Sequence, residues 1–345
     1  MTLDRRQVRA ALGVLWLVDA GLQAQPHFFT AGWWRDELAQ SVMGEPQGVN
    51  HSIFWAVGVV AAHAAAWNAV FVAVQVAIGA ALVLSRGGRD RWARAAIVAS
   101  VPWALAIWWV GEGFGTLPTG FALLAAGSPG PVLYYPLLGL LAWPRRRQSA
   151  GGPAADRSPA APAIGPHSSG LALDPGAGAG REPPVAKRAG LAAWVVLWAG
   201  QALLHLPWSF PPGQVLSANV GEYSLDQPGW LLAVARHTDA VVLAHPVAVT
   251  AGLGGLEVVV GLGVLARVGR RWALGAGIAL SALYWVTFQY FGTIFGGDGT
   301  DPGTAPLMVL LALALWPARR PAHVGRHPTH TSTSPLASTL QAPGP

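Results

Sequence analysis

Long apolar runs that carry almost no charge are the feature that most constrains this chain. Only 11% of its residues are charged and 52% are hydrophobic, and the mean hydropathy is +0.41. A soluble chain carries about 25% charged residues. The solvent around these runs is therefore expected to be lipid, and the sequence predicts an all-α membrane protein.

Eight of these runs are long enough, and free enough of strong charge, to cross a bilayer. They cover residues 9–26, 66–85, 95–115, 130–144, 189–207, 247–266, 272–292 and 304–317. The fourth and eighth are short, which leaves a tilted or partly re-entrant path open. The stretch from Ile53 to Ala66 is interpreted as an interfacial helix that leads into the second span.

Arginine placement predicts the orientation of the spans. Basic clusters precede the first span and follow the second and the fourth, and the second half of the chain repeats this order. An even number of spans between clusters puts them on one side, which the positive-inside rule assigns to the cytoplasm. Only Arg35 and Arg236 fall on the other side. We expect a multi-pass plasma-membrane protein whose N-terminus, linker and C-terminus are cytoplasmic.

Composition divides the chain into four parts. Residues 145–188 are rich in Pro, Ala and Gly and have no periodic apolar face, which predicts a disordered cytoplasmic linker. Residues 318–345 have the same character and are predicted to be a disordered cytoplasmic tail. The remaining parts, 1–144 and 189–317, are two four-span units.

The two units match each other in sequence. LWLVDAGLQAQPHFF from Leu15 matches LWAGQALLHLPWSF from Leu197, and WWVGEGFGT from Trp108 matches YWVTFQYFGT from Tyr284. Between them, AHAAAWNAVFVAVQVAIGAAL matches AHPVAVTAGLGGLEVVVGLGVL. Matched blocks in the same order predict an internal repeat, and copies with an even number of spans share one orientation. We predict eight transmembrane helices arranged as two parallel four-helix repeats.

Polar side chains inside the spans are the candidate functional residues, because hiding an ionisable group in lipid is costly. The candidates for a polar cavity are Asp19, Gln23, His63, Asn68, Gln75, Glu112, Gln201, His205, His245, Glu257 and Gln289. Spacings of four and seven residues put several of them on one helical face. We expect two related polar clusters, one in each repeat, and each opening outward.

A purely structural role for these side chains stays open. Amides, acids and histidines also join transmembrane helices through interhelical hydrogen bonds. Carboxylates are costlier to hide than amides, so Asp19, Glu112 and Glu257 favour a functional role. Gly79 and Gly261 are expected to let neighbouring helices approach closely.

Several kinds of chemistry are not expected. The chain has no cysteine, which excludes disulfides, thiolate metal sites and dithiol redox chemistry. Outward-facing histidines lie near Asp298 and Asp301, but no metal-ligand spacing such as H-E-x-x-H occurs, so no metal is predicted. The net charge of +6 lies in short clusters and not on one face, so nucleic acid is not an expected partner. The expected partners are the lipid bilayer and other membrane subunits.

The motif LGVLWLVDAGLQ from Leu12, followed by apolar glycine-containing helices, resembles the four-helix DoxX-like membrane proteins. The tandem units with WWVGEGFG and FGGDGTDPGTAPL are similar to an uncharacterised family of actinobacterial integral membrane proteins. The resemblance covers both units but not the linker or the tail. Some DoxX-like proteins are subunits of quinone-linked sulfur oxidation, so the resemblance implies a quinone as a candidate cofactor.

Three functions stay open at this point. The one that the sequence favours is a non-enzymatic accessory subunit, or a small-solute or proton-linked carrier, with an outward-opening polar cavity in each repeat. The second is a quinone-interacting subunit of a membrane oxidoreductase. The third is a purely structural partner in a membrane complex. No catalytic residue is assigned, and the sequence does not identify a substrate.

Overall fold

The computed structural model describes residues 3–40, 45–85, 90–144, 185–203, 211 and 213–317. These residues form α-helices joined by turns and short 3₁₀ segments, and none of them forms a strand. The predicted all-α class is therefore confirmed for the described part of the chain. The predicted tail, most of the predicted linker and His205 lie outside the described residues.

The described residues of the first half form six α-helices. They are α1 (Arg5–Gln23), α2 (Ala31–Gln40), α3 (Gln47–Ala62), α4 (Ala64–Leu84), α5 (Asp90–Val110) and α6 (Tyr134–Leu141). α1 begins at a capping box, in which Asp4 accepts from the backbone of Gln7 and Gln7 accepts from the backbone of Asp4. α3 ends and α4 begins at His63, whose φ of −140° and ψ of 48° are not helical.

Six more α-helices occur in the described part of the second half. They are α7 (Lys187–Val195), α8 (Gln214–Tyr223), α9 (Gly229–Ala244), α10 (Pro246–Gly263), α11 (Arg270–Thr287) and α12 (Thr304–Leu315). α7 continues into one π-helical turn, Val196–Gly200. α9 ends and α10 begins at His245, with φ −136° and ψ 52°, nearly the same angles as at His63.

Three of the described helices are long and apolar enough to cross a membrane, namely Ala64–Leu84, Asp90–Val110 and Pro246–Gly263. In the most apolar 18-residue segment of each helix, only 28%, 28% and 22% of the residues are buried inside the protein. Most of their apolar side chains therefore face outward, which indicates a lipid environment. Two shorter apolar stretches, Pro131–Leu141 and Thr304–Leu315, lie where the sequence predicts the fourth and eighth spans.

Small residues let two helix pairs approach closely. A Cβ atom built on Gly79 of α4 would lie 2.8 Å from the carbonyl oxygen of Gly13 in α1. A Cβ atom built on Gly261 of α10 would lie 2.6 Å from the backbone nitrogen of Ala199. The expected role of Gly79 and Gly261 in close helix packing is confirmed, since no larger side chain fits there without a shift.

The two halves share one hydrophobic core. α6 and α12 are its central helices, with residues such as Leu138, Leu307 and Leu311 fully buried. The backbone N–H of Ala186, just before α7, donates a 3.2 Å hydrogen bond to the carbonyl of Leu141 at the end of α6. A smaller apolar cluster packs α2 against α3 and lies apart from this core.

Three arginines hold the C-terminal end of α6. Arg5, Arg9 and Arg94 donate hydrogen bonds of 2.7, 2.9 and 3.3 Å to the backbone carbonyls of residues 142–144. Cations are stabilised there because the dipole of a helix leaves its C-terminal end partly negative. This end of the molecule is the arginine end, and it contains the N-terminal ends of α1 and α5.

Candidate functional site

A large cavity lies at the end of the helices opposite the arginine end. It is formed by the last turns of α1 and α5, the first half of α4, and parts of α2, α3 and α6. Residues 218–227 of α8 and the following turn, and loop residues 293–301, complete its wall. Its volume is about 730 Å³, which lies within the range of about 300–1,000 Å³ that is usual for small-molecule sites.

Carboxylates dominate the charge of this cavity. Those that line it are Asp19, Glu45, Glu222, Asp226, Asp298 and Asp301. Four amide side chains accompany them, from Gln23, Gln75, Asn219 and Gln227. No lysine, arginine or histidine is among the described residues that line the cavity. Ionised carboxylates in a concave, partly apolar wall produce a strongly negative local potential.

Aromatic rings form much of the remaining wall. They belong to Trp16, Trp33, Trp34, Phe71, Trp103, Phe121, Tyr135 and Tyr223. The rings pack on one another: the Trp16 and Tyr135 centroids are 4.4 Å apart, and those of Phe71 and Trp103 are 5.5 Å apart. These contacts hold the rings in place, so the aromatic wall is preformed.

Asp19 lies deep in this cavity, with only 3% of its surface exposed. Tyr135 is close enough to interact with its carboxylate. Neither Asp19 Oδ1 nor the Tyr135 hydroxyl, however, has a partner at hydrogen-bond distance among the described residues. A buried polar atom without a partner costs about 1–3 kcal/mol. In the wall of a cavity, water or a bound solute would complete the hydrogen bonds of such atoms.

Three further side chains share this property. Gln75 Oε1, Gln227 Oε1 and both carboxylate oxygens of Glu45 are buried without a hydrogen-bond partner in the described part of the chain. Each of the three residues lines the cavity. Gln75 comes from α4, Glu45 precedes α3 and Gln227 follows α8, so the residues that carry these oxygens come from distant parts of the sequence.

Gln23 and Asn68 join α1 to α4 beside the cavity. Gln23 Nε2 donates to Asn68 Oδ1 over 2.6 Å, and Asn68 Nδ2 donates to the backbone carbonyl of Gln23 over 3.0 Å. Gln23 lines the cavity, whereas Asn68 is fully buried behind it. The pair therefore fixes the helix end that carries Asp19.

Asp301 reaches the cavity from the loop that precedes α12. Its Oδ1 accepts a 2.6 Å hydrogen bond from the backbone N–H of Gly303. Burial raises the pKa of Asp301 to about 6, although the hydrogen bond from Gly303 acts in the opposite direction. Burial also raises the pKa of Glu222, on the wall formed by α8. The cavity thus contains carboxylates that titrate closer to neutral pH than a free side chain does.

Glu112 and Gln289 do not line the cavity themselves. They hold in place the neighbouring loops, which do line it. Glu112 Oε1 accepts from the backbone N–H of Val132 over 3.1 Å, and Gln289 Oε1 accepts from that of Ala305 over 3.3 Å. Gln289 Nε2 also donates to the carbonyl of Ala125 over 3.2 Å, which connects the two halves. Glu112 therefore joins the end of α5 to the start of α6, and Gln289 joins the end of α11 to the start of α12.

The other predicted site residues lie away from the cavity. Glu257 is fully buried, and its Oε1 accepts a 2.8 Å hydrogen bond from the hydroxyl of Tyr284. Gln201 is buried, and His63 and His245 are exposed where α3 meets α4 and α9 meets α10. Of the described candidates, the cavity thus brings together Asp19, Gln23 and Gln75 of the first half, but not Gln201 and Glu257, which match Asp19 and Gln75 in the second half.

Sequence reasoning missed most of the acidic wall and all of the aromatic wall. Glu45, Glu222 and Asp226 were not among the candidates, because they fall in segments between the predicted spans. One signal was present: the segments predicted to lie outside hold several acids but only two arginines, Arg35 and Arg236. Among the described residues, no group of three or more Asp, Glu or His side chains could hold a metal ion.

Comparison with protein-family models, with curated proteins and with solved structures finds no match for this chain. The resemblance to DoxX-like proteins therefore stays a prediction that depends on the motifs quoted above.

Proposed function

We propose that this chain is a multi-pass plasma-membrane protein that takes a small solute from the outer side into the cavity around Asp19. The observation that carries the proposal is the set of buried, unpartnered oxygens that belong to residues lining one large cavity. The cavity lies opposite the arginine end, which the positive-inside rule assigns to the cytoplasm. A cavity at this end is open to solutes outside the cell.

Eight spans in two parallel four-helix repeats are part of the proposal. Helices occur at all eight predicted positions, although α6 and α12 are short. Both are packed inside the protein, where short or broken helices are tolerated because neighbouring helices satisfy their polar backbone groups. A short central helix is therefore compatible with a membrane-embedded bundle.

Two loops with the same geometry support the tandem repeat. Residues 114–116 have φ values of 56°, 64° and 57°, and residues 291–293 have 58°, 71° and 56°. Successive residues with positive φ are rare in chains of L-amino acids. In both loops a tryptophan before the turn, Trp108 or Trp285, donates a 2.6 Å hydrogen bond to a proline carbonyl after it. Such a pair of matching loops favours duplication of one unit.

A carrier is favoured over a purely structural partner. Unpartnered polar atoms lower stability and add nothing to packing, so their presence in a cavity wall favours a binding role. Both halves of the chain contribute to this one wall. Movement of one repeat against the other would open or close it, as in transporters that work by alternating access. An accessory subunit that only binds the solute has the same cavity and would lack that movement.

A quinone-interacting subunit is the alternative that the family resemblance implies. A quinone is uncharged, so the carboxylates of the wall offer it no electrostatic attraction. The cavity geometry therefore favours the solute-binding proposal over this alternative.

Cysteine labelling tests the proposal, because the chain has no native cysteine. Ala106→Cys places a thiol in the cavity wall on α5. Val98→Cys is the matched control, since Val98 is 59% exposed on the same helix but away from the cavity, where lipid is expected. A membrane-impermeant maleimide added to whole cells should label Ala106→Cys and should leave Val98→Cys unlabelled. Absence of labelling at Ala106→Cys from outside, or labelling only in inverted vesicles, would contradict the proposal.

A further inference from the structure

We infer that the cavity around Asp19 binds an organic cation of the ammonium type, because carboxylates and aromatic rings surround one space of about 730 Å³. This inference depends on the proposed function, since it names the class of solute that the cavity takes. It excludes anions, uncharged solutes and metal ions as the preferred ligands.

Charge is the first reason. Every ionisable group that lines the cavity among the described residues is an acid or a tyrosine. An anion would meet repulsion from each carboxylate, and an uncharged solute would gain nothing from them. The positive charge of a cation neutralises the negative charge of these carboxylates. The free-energy cost of burying either charge is therefore lower.

The unpartnered oxygens are the second reason. Asp19 Oδ1, Gln75 Oε1 and the Glu45 carboxylate accept hydrogen bonds or face a positive charge, and none of them has a partner among the described residues. Asp19, Gln75 and Glu45 are each more than nine-tenths buried. Buried acceptors on residues that line a cavity favour a solute that brings a hydrogen-bond donor or a positive charge.

The aromatic wall is the third reason. A cation within about 6 Å of a ring centroid is attracted to the ring face, and aromatic cages are a common means of binding quaternary ammonium groups. Trp16 and Tyr135 pack beside Asp19, and Trp33 and Trp34 pack edge to face at 5.0 Å between centroids. The face of such a ring attracts the positive charge of an organic cation and also packs against its apolar alkyl groups.

Two indole groups suggest a further feature of the solute. The Nε1 atoms of Trp33 and Trp103 are buried and lack a hydrogen-bond partner in the described part of the chain. Both tryptophans line the cavity. A hydroxyl or carbonyl oxygen on the solute would accept these hydrogen bonds, so choline, an ammonium with a hydroxyl group, is a suitable first probe.

A metal ion fits this cavity less well. Metal ions need several ligand atoms about 2.0–2.6 Å from one centre. In the described part of the chain no three acidic or histidine side chains cluster closely enough for this. Dispersed carboxylates around a wide space suit a larger cation, whose charge is spread over its surface.

Binding to the purified full-length protein in detergent tests the inference. The probes are choline, tetraethylammonium and benzyltrimethylammonium, and the control is the uncharged isostere of choline with a tert-butyl group in place of trimethylammonium. Isothermal titration should show saturable binding of at least one cation, and at least about tenfold weaker binding of the isostere. Equal affinity for choline and its isostere, or no saturable binding of any of the three cations, would overturn the inference.

Charge-neutralising variants locate the site. Asp19→Asn should weaken binding of the same cation at least about tenfold, since a buried counter-charge is lost. Asp90→Asn removes the same charge at the opposite end of α5 and should change the affinity less than about twofold. Equal effects of the two substitutions would mean that the cation is not bound beside Asp19.

A second measurement covers the case in which Asp19→Asn does not fold. Ala106→Cys leaves every carboxylate in place, and its reaction rates with cationic trimethylammonioethyl and anionic sulfonatoethyl methanethiosulfonate report the potential in the cavity. The rate of each reagent with the cysteine is divided by its rate with a free thiol in solution. This ratio should be at least about tenfold higher for the cationic reagent than for the anionic one. A faster anionic reagent would overturn the inference but leave the proposed function intact, whereas no reaction with either reagent would contradict both.

Discussion

Gln23 and Asn68 hold each other through two hydrogen bonds. The Gln23 side chain donates to the Asn68 side chain over 2.6 Å, and the Asn68 side chain donates to the Gln23 backbone over 3.0 Å. The pair joins the last turn of α1 to the first turns of α4. Asp19 lies one turn earlier on α1, so the geometry of the cavity depends on this link.

Replacing Asn68 by leucine should destabilise the protein. The substitution leaves Gln23 with an unpartnered side-chain amide and an unpartnered backbone carbonyl, each of which costs about 1–3 kcal/mol. The melting temperature in detergent should fall, and cation binding should weaken with it. Ala69→Leu is the control, because Ala69 is the exposed neighbour on α4 and should tolerate a larger apolar side chain. Equal melting temperatures for the wild type and Asn68→Leu would show that the pair contributes no stability.

Glu112→Gln should be tolerated, whereas Glu112→Ala should not. Glu112 accepts from the backbone N–H of Val132, and at the matching position Gln289 accepts from Ala305 in the same way. A glutamine oxygen preserves this hydrogen bond, but alanine leaves a backbone donor without a partner at a cost of about 1–3 kcal/mol. Thermal unfolding of the two variants provides the comparison. If glutamine proves as disruptive as alanine, the negative charge of Glu112 matters and not its hydrogen bond.

Two glycines of α10 should respond oppositely to alanine. A Cβ atom on Gly261 would lie 2.6 Å from the backbone nitrogen of Ala199, whereas one on Gly255 would have no neighbour within 4 Å. Gly255→Ala should raise the stability by up to about 1 kcal/mol through helix propensity, and Gly261→Ala should lower it by about 1–3 kcal/mol through overpacking. The two melting temperatures should therefore move apart. A stabilising Gly261→Ala would contradict the close packing of α10 on the π-helical turn.

Cation binding should strengthen as the pH rises through about 6. The pKa of Asp301 is raised to about 6 by burial, so its carboxylate gains its negative charge in this range and then attracts the cation. The titratable groups that interact with it are Asp19, Glu112, Tyr135 and Tyr223. The affinity for choline should be measured between about pH 5 and pH 8. Asp301→Asn should remove the rise centred near pH 6, and an unchanged profile in this variant would assign the effect to another carboxylate.

The sequence by itself determined where the long apolar helices lie and which glycines let them approach, whereas it did not predict α2, α8 and α9. The predicted span at 66–85 is α4, Ala64–Leu84, and the predicted span at 247–266 is α10, Pro246–Gly263. Hydropathy and the positions of glycine are local properties, so a single run of sequence is enough to specify them. The same local reading identified Asp19, Gln23 and Gln75, because a polar residue within an apolar run stands out.

Only the tertiary structure decided which of these residues share a cavity. Gln75 and Glu257 occupy matching positions, yet Gln75 faces the cavity and Glu257 is enclosed beside Tyr284. At the matching C-terminal ends of α5 and α11, the second half has Tyr284 and Phe288 where the first half has Ile107 and Gly111.

The two larger rings are buried, with Tyr284 against Glu257, whereas the two smaller residues line the cavity. The residues that complete the wall, 218–227 and 293–301, come from the second half of the chain. Filling of space by distant side chains depends on how the whole chain packs, and no local pattern encodes it.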